Sequence, residues 1–259
     1  MRWLAHEVEP PRAGVTGRAR LALENAGSAT WRARGKTGVR LAYHWLDPLG
    51  NAIVWDGLRT AFPGPVAPGE TVEIDIPVAA PRPPGSYVVS FDLVEEYRFW
   101  FAEVGSTTLD VRVEVAPRIA ERRLEVVVLG GADAETTAAL AAQEEAVVKD
   151  DAVARAYVCA GAVPAPDWSR LLLDAHAEGW AAVGGAIEPV SRRERDRFAA
   201  WAPGGGRNPR FGSPLLFPSL LDGIEPGEHE GLPAYTSTDG LFDGRAVVKL
   251  RPRSGRQLG

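Results

Sequence analysis

The densest chemistry lies late in the chain, where Glu225-Pro226-Gly227-Glu228-His229-Glu230 sets an imidazole among carboxylates, with Asp239 and Asp243 beyond. Such groups bind metals or pass protons, yet their spacing fits no metal motif, and acid/base work needs a geometry that spacing alone does not supply. Asp150 and Asp151 are adjacent carboxylates, but neighbours on a strand point to opposite faces, and Lys149 beside them reads as part of a solvated turn. Glu188, followed by Pro189, ends a predicted strand at the edge where open α/β sheets place ligands, and is the best single polar contact the sequence offers; otherwise it is a surface acid closing a strand. Gly204-Gly205-Gly206-Arg207-Asn208 is glycine-rich and basic, but no strand leads into it and no Lys-Ser/Thr pair ends it, so it reads as a loop and not as a phosphate cradle. Cys159 is the only cysteine; a lone thiol in a strand is a small buried hydrophobe. No catalytic residue, metal ligand or cofactor is assigned from these groups. Tryptophans are the remaining candidates, because flat aromatic rings stack on the faces of sugars. Trp31, Trp55 and Trp100 are the candidate ligand contacts, whereas Trp45 shares the inward parity of Val39, Leu41 and Tyr43 and is assigned to the core.

Two kinds of element must hold these residues. From Val15 to Val115 apolar residues alternate along short stretches, and turn signals such as Asp47-Pro48-Leu49-Gly50-Asn51 interrupt them, which predicts about seven strands in a β-sandwich. Trp31 and Trp55 are expected to be exposed. Phe99-Trp100-Phe101 is expected to form one strand whose aromatics occupy both faces, one in the core and the other against the second domain or a partner, with the second domain favoured because it is already at hand. Pro117 to Arg123 carries four charged residues and no apolar period, which puts the boundary there and the first domain at 1–118.

Beyond it the pattern changes. Leu124 to Leu129 is a continuous apolar run, as in a strand buried on both faces, followed by a helix over Asp133 to Glu145 with Asp133 as its N-cap. A strand near Ala156 to Ala160, a helix over Pro166 to Glu178 and a strand over Trp180 to Ile187 complete a small Rossmann-like α/β domain over 119–202, which also holds a charged, helical Ser191 to Trp201. Pro203 to Pro233 holds six prolines and seven glycines, too many for regular elements, so 203–259 is expected to be an irregular Pro/Gly-rich extension packed on that domain, with Leu215, Leu216, Phe217, Leu220 and Leu221 as its strap and a frayed end.

Composition narrows the classes. A formal net charge of -5 gives no basic field for phosphates, so no nucleic-acid partner is expected. No apolar run approaches the ~20 residues of a membrane helix, and the N-terminal residues carry no signal-peptide pattern, so the expected location is cytoplasmic, with no transmembrane segment.

The turn residues Leu23-Glu24-Asn25-Ala26-Gly27 with Trp31, Ala67-Pro68-Gly69-Glu70, and Ala80-Pro81 with Pro84-Gly85 and Tyr87 resemble those of bacterial immunoglobulin-like domains appended to glycan-assembly enzymes, and distantly the four-tryptophan domain of autophagy receptors. Residues 124 to 189 resemble parts of a family 2 glycosyltransferase of the GT-A fold: Glu125-Val126-Val127-Val128-Leu129 its first strand, Tyr157 to Trp168 the segment that follows its acidic metal motif, with Ala175-His176 and Ala182-Val183-Gly184-Gly185-Ala186-Ile187-Glu188-Pro189 completing the match. The resemblance implies a divalent cation held by aspartates against a sugar-nucleotide diphosphate. The matching positions here are Cys159, Ala160 and Gly161, none with a hard oxygen side chain, and the interval from Leu124 to Cys159 leaves room for about one βαβ unit where the family fits several. The resemblance therefore implies a two-domain pseudoenzyme: a glycan-related binding or scaffolding protein of envelope polysaccharide assembly, with glycan or assembly proteins as partners. The alternatives are an active metal-independent glycosyltransferase and a protein-interaction module unrelated to sugars. A cleft beside Cys159 to Gly161 is expected to be filled by the Pro214 to Leu221 strap.

Overall fold

The structure, a computed structural model, describes residues 1–33, 38–129, 131, 133–145, 147–159, 163–184, 207–208, 213–214, 219–221, 224–229, 232–237 and 247–249. The chain is mostly β-sheet, in several sheets, and divides into two compact units, Met1–Pro117 and Arg118–Gly259.

The first unit runs β1 (Arg2–Val8), β2 (Thr16–Glu24), β3 (Val39–Leu46), β4 (Ala52–Val54), β5 (Thr60–Ala61), β6 (Thr71–Ala79), β7 (Gly85–Glu95), β8 (Phe99–Trp100) and β9 (Leu109–Val115). Strands β1, β2 and β6 form an antiparallel three-stranded sheet; β4, β3, β7 and β8 form the second, with β5 added to β3 and β9 to β7. Alternation explains the arrangement. In β2, Ala19, Leu21 and Leu23 are buried, while Arg18 and Arg20 are exposed; in β6, Ile74, Ile76 and Val78 face inward against them. Pro77, which has no N–H to donate, sits on the edge strand β6. From the second sheet Leu41, Tyr43, Trp45, Val89, Phe91 and Leu93 enter the same core. Strand β1 was not expected: Arg-Trp-Leu-Ala-His-Glu-Val is too polar to show a buried face, and most of its residues are exposed.

Strand β3 ties the two sheets together through polar groups as well. The Trp45 Nε1 donates to the Ala79 carbonyl oxygen at 2.8 Å, and the Ala79 N–H donates to the Tyr43 hydroxyl at 2.8 Å. Both backbone groups of the last β6 residue are thus satisfied by side chains from the opposite sheet, and Trp45 is fully buried, as its parity indicated.

The second unit begins with β10 (Leu124–Leu129), α1 (Ala134–Ala141), β11 (Val147–Val148), β12 (Ala154–Cys159), α2 (Trp168–Ala177) and β13 (Ala182–Gly184). Strand β10 pairs in parallel with both β11 and β12. Asp133 caps α1, accepting the Thr136 N–H at 2.7 Å. Further on come β14 (Arg207–Asn208), β15 (Ser213–Pro214), β16 (Ser219–Leu221), β17 (Ile224–His229), β18 (Leu232–Ser237) and β19 (Val247–Lys249). The stretch from Pro203 to Pro233 is therefore not free of regular elements. Its strands are two to six residues long, too short for a sequence period to register, and Pro226 and Pro233 lie in the two-stranded ribbon β17–β18, where each strand has an unpaired edge that tolerates a missing N–H. Strand β16 lies antiparallel between β12 and β13, so the sheet is mixed, in the order β11-β10-β12-β16-β13-β19. Leu221 is a buried core residue there, and Leu220 pairs with Arg155 and Ala182: this part of the expected strap is an inner strand of the sheet. Leu215, Leu216 and Phe217, and the helix expected over Ser191 to Trp201, lie outside the described residues. No helix among the described residues is long and apolar enough to cross a membrane.

Replacing Trp45 with Ala removes a large core side chain and one tie to Ala79. The expected cost is about 3–5 kcal/mol of unfolding free energy, read from urea denaturation of the full chain; a loss below about 1 kcal/mol would contradict the role given to this residue.

Candidate functional site

The side chains that alternate with the core set on β3 and β7 build a second, smaller cluster on the far face of the same sheet. His44, Asp92, Ala42 and Val94 project there and are all buried. Two segments cover them. The first follows β4, turns at Trp55 and Asp56, and is drawn against β3 by the Gly57 N–H, which donates to the Tyr43 carbonyl oxygen at 2.9 Å. Glycine is required at this close approach, since a methyl group would overlap that oxygen and the Tyr43 ring. The Trp55 ring consequently stacks on His44 with centroids 4.1 Å apart and planes 24° from parallel, and His44 Nδ1 donates to the Trp55 carbonyl oxygen.

The second segment is β8 and the 3-10 turn Phe101–Val104, closed by Gly105 at φ 92°. The buried Asp92 carboxylate accepts the Ala102 N–H at 3.0 Å and its neighbour Leu93 N–H at 2.7 Å. Burial pushes that carboxyl group above the usual carboxylate range, and the two backbone donors partly offset the push. Trp100 is thereby laid over His44, with ring centroids 4.3 Å apart, and meets Trp55 edge-on at 6.1 Å. The Arg59 guanidinium stands 4.6 Å above the Trp100 ring and pairs with Asp56 at 2.8 Å and Glu96 at 3.3 Å. Trp55 remains 51% exposed on top of this stack, whereas Trp100 is buried at 8%. What results is one open indole resting on an imidazole and a second indole, the second in turn covered by a cation.

Trp31 departs from expectation. It is 5% exposed, with its N–H and carbonyl both bonded to Val66, and its ring stacks on Phe62 at 5.7 Å and meets Phe101 edge-on at 6.1 Å. The turn residues before it suggested a loop tip, but the pairing with Val66 folds the ring inward. The expected three-aromatic strand is also shorter: Phe99 and Trp100 form β8, and Phe101 opens the 3-10 turn. Trp100 is covered from within its own unit by His44, Trp55 and Arg59. Phe99 and Phe101 face the other way, into a cleft of about 490 Å³ that Trp31 also lines. His44, Arg59 and the cleft residues Asn25, Arg32 and Arg98 were not singled out from sequence. The outward parity of His44, between Tyr43 and Trp45, was the signal available for it.

In the second unit Cys159 ends β12, paired in parallel with Leu129. Ala160, Gly161 and Glu188 lie outside the described residues, as do Asp239 and Asp243, and the expected filling of a cleft beside Cys159 to Gly161 falls there too. Asp150 and Asp151 are exposed in the turn before β12. His229 and Glu225 are in the strand β17. The sequence pointed to His176 only as part of the transferase match and not to its partner: His176 on α2 and Ser219 on β16, both fully buried, lie 2.7 Å apart from Nε2 to Oγ. His176 Nδ1 donates to the Trp180 carbonyl oxygen at 2.7 Å, which leaves Nε2 to accept the Ser219 hydroxyl proton. A serine-imidazole contact has the form of a nucleophile and its base, but with no exposure of either it serves here to fix β16 against α2. Burial lowers the His176 pKa to about 4.

No protein-family model matches the chain, nor does any curated protein. Among solved structures, it is similar to a family 123 glycoside hydrolase from Clostridium perfringens, described in connection with glycolipid glycan hydrolysis, at 11% identity and a TM-score of 0.25. That alignment takes in 91% of this chain and 38% of the hydrolase, so the chain spans well under half of that protein's length. So slight a likeness defines neither fold nor activity.

The buried imidazole has a consequence for stability. An unfolded histidine takes up its proton near pH 6.5, whereas folded His176 resists protonation down to about pH 4. Stability from this site is therefore complete above about pH 6.5 and is lost as pH falls toward 4, at up to about 1.4 kcal/mol per unit. Urea unfolding of the full chain across this range, followed by tryptophan fluorescence, is expected to show the loss, and His176→Gln is expected to flatten it.

Proposed function

We propose that the chain is a glycan-binding or scaffolding protein of envelope polysaccharide assembly, its first unit an immunoglobulin-like sandwich and its second a non-catalytic relative of family 2, GT-A-type glycosyltransferases. The half-exposed Trp55 ring carries this reading. Stacking on His44 and the edge contact with Trp100 restrict its rotation before any ligand arrives, so a sugar face meets a platform with part of its ordering cost already met. Several features support the rest: two antiparallel sheets around a common core, the parallel β10-α1-β12 unit at the start of the region resembling a transferase, and the missing acids at 159–161.

One observation favours a second reading, a protein-docking surface: Leu49, Ile53, Val54 and Leu58 around Trp55 are also exposed.

Isothermal titration of the full chain with bacterial envelope tetrasaccharides, without metal, separates the two. Saturable binding that falls about tenfold in Trp55→Ala, with the melting temperature kept within a few degrees, is the expected result. No saccharide binding, or binding indifferent to Trp55→Ala, would remove the glycan reading. Manganese-dependent binding of a nucleotide sugar would restore a transferase.

A further inference from the structure

The cleft on the opposite side of β8 from Trp55 is a separate site, and its lining has a definite chemical character. Its volume of about 490 Å³ lies within the ~300–1,000 Å³ of small-ligand sites. Aromatic rings of Phe99 and Phe101 supply apolar surface, with the buried Trp31 behind them, and Ser28, Thr30 and Ser106 supply hydroxyls, a mixture suited to a sugar ring with one apolar face and a polar rim.

Charge narrows the ligand further. Of the charged side chains that line the cleft, Arg98 and Glu95 pair with each other, and the Arg98 guanidinium leans over the Phe99 ring at 5.5 Å. Arg32 lines the same cleft and forms no ion pair with any described residue. Among the described residues this leaves one guanidinium without an ion-pair partner, in a planar fork that matches carboxylate or phosphate oxygens.

The backbone beneath Arg32 is fixed in advance. Trp31 bonds in both directions to Val66 at 2.9 and 3.0 Å, the Arg32 carbonyl accepts the Val39 N–H at 2.8 Å, and Arg40 donates to the Ala33 carbonyl at 2.8 Å. The fully buried Asn25 holds the facing loop: its amide donates to the carbonyls of Ala29 and Val66, both at 2.9 Å, and its oxygen accepts the Gly27 N–H at 3.1 Å. The backbone that carries this cation therefore needs no reordering on meeting an anion, and the ordering cost is confined to the Arg32 side chain.

We propose that this cleft binds an acidic saccharide, its ring against Phe99 and Phe101 and its carboxylate or phosphate on Arg32. The sugar part of this assignment rests on the glycan reading above; the site and the anion preference rest on the cleft.

The test uses the full chain and four probes, glucuronic acid, glucose 6-phosphate, glucose and inorganic phosphate, with binding followed by NMR titration. Saturable binding of at least one of the two acidic sugars, at least tenfold tighter than glucose and than inorganic phosphate, is expected, and the stronger of the two shows whether carboxylate or phosphate is the natural group. Arg32→Ala is expected to abolish the preference and Arg32→Lys to restore part of it, both with an unchanged melting temperature because Arg32 is exposed. Glucose binding as tightly as the acidic sugars, inorganic phosphate alone matching them, no saturable binding of either acid, or indifference to Arg32→Ala would each overturn the proposal. Trp55→Ala separates the two sites: it is expected to leave these affinities unchanged while weakening tetrasaccharide binding, and loss of acidic-sugar binding in it would overturn the cleft assignment alone.

Discussion

Ala79 is held from across the core by two aromatic side chains of a single strand: Tyr43 accepts its N–H and Trp45 donates to its carbonyl. Much of the first unit depends on this clamp. It sets the last residue of β6 over the middle of β3, satisfies two backbone groups at a strand end, and seats the two largest fully buried side chains of the core, which then meet Phe91 and Tyr87 edge-on. Because side chains alternate on a strand, fixing Tyr43 and Trp45 inward also fixes His44 outward, and His44 is the base on which Trp55 and Trp100 are stacked. The exposed platform is thus a consequence of how the buried face is anchored.

The hairpin from β7 into β8 divides aromatic surface between two sites in the same way. Trp100 goes to the His44 side; Phe99 and Phe101 go to the cleft with Trp31. Asp92 stabilises the division by accepting the Ala102 N–H from beneath, and Glu103 accepts the Trp100 N–H at 3.1 Å. In the second unit a buried polar contact has a comparable part: His176 bridges the Trp180 carbonyl to Ser219 and keeps β16 inside a sheet that would otherwise join β12 and β13 across a gap.

Parity made part of this legible in the sequence. Strand β3 alternates cleanly, so Trp45 was assignable to the core, and the Asp133 cap was readable from its position ahead of a helical stretch. The placement of Trp31 was not, because its inward turn depends on pairing with Val66, a residue 35 positions later. Nor were the ring partners of Trp55: His44 and Trp100 reach it only after Gly57 brings the loop back to β3, a close approach that a single glycine does not advertise. Strands of two or three residues, such as β14, β15 and β16, are shorter than any period that a sequence can display, and their partners alone define them. Of the three positions matching the transferase metal motif, Cys159, Ala160 and Gly161, only Cys159 lies among the described residues.

The most direct measurement is a titration of the full chain with an envelope tetrasaccharide, followed through the eight tryptophan indole N–H signals by two-dimensional NMR. A shift led by Trp55 and passed on to Trp100, with Trp45 unmoved because its N–H is bonded to Ala79, is the expected result. Uniformly static indoles, or a response led by the buried Trp45, would contradict a preformed sugar platform on this face of the sheet.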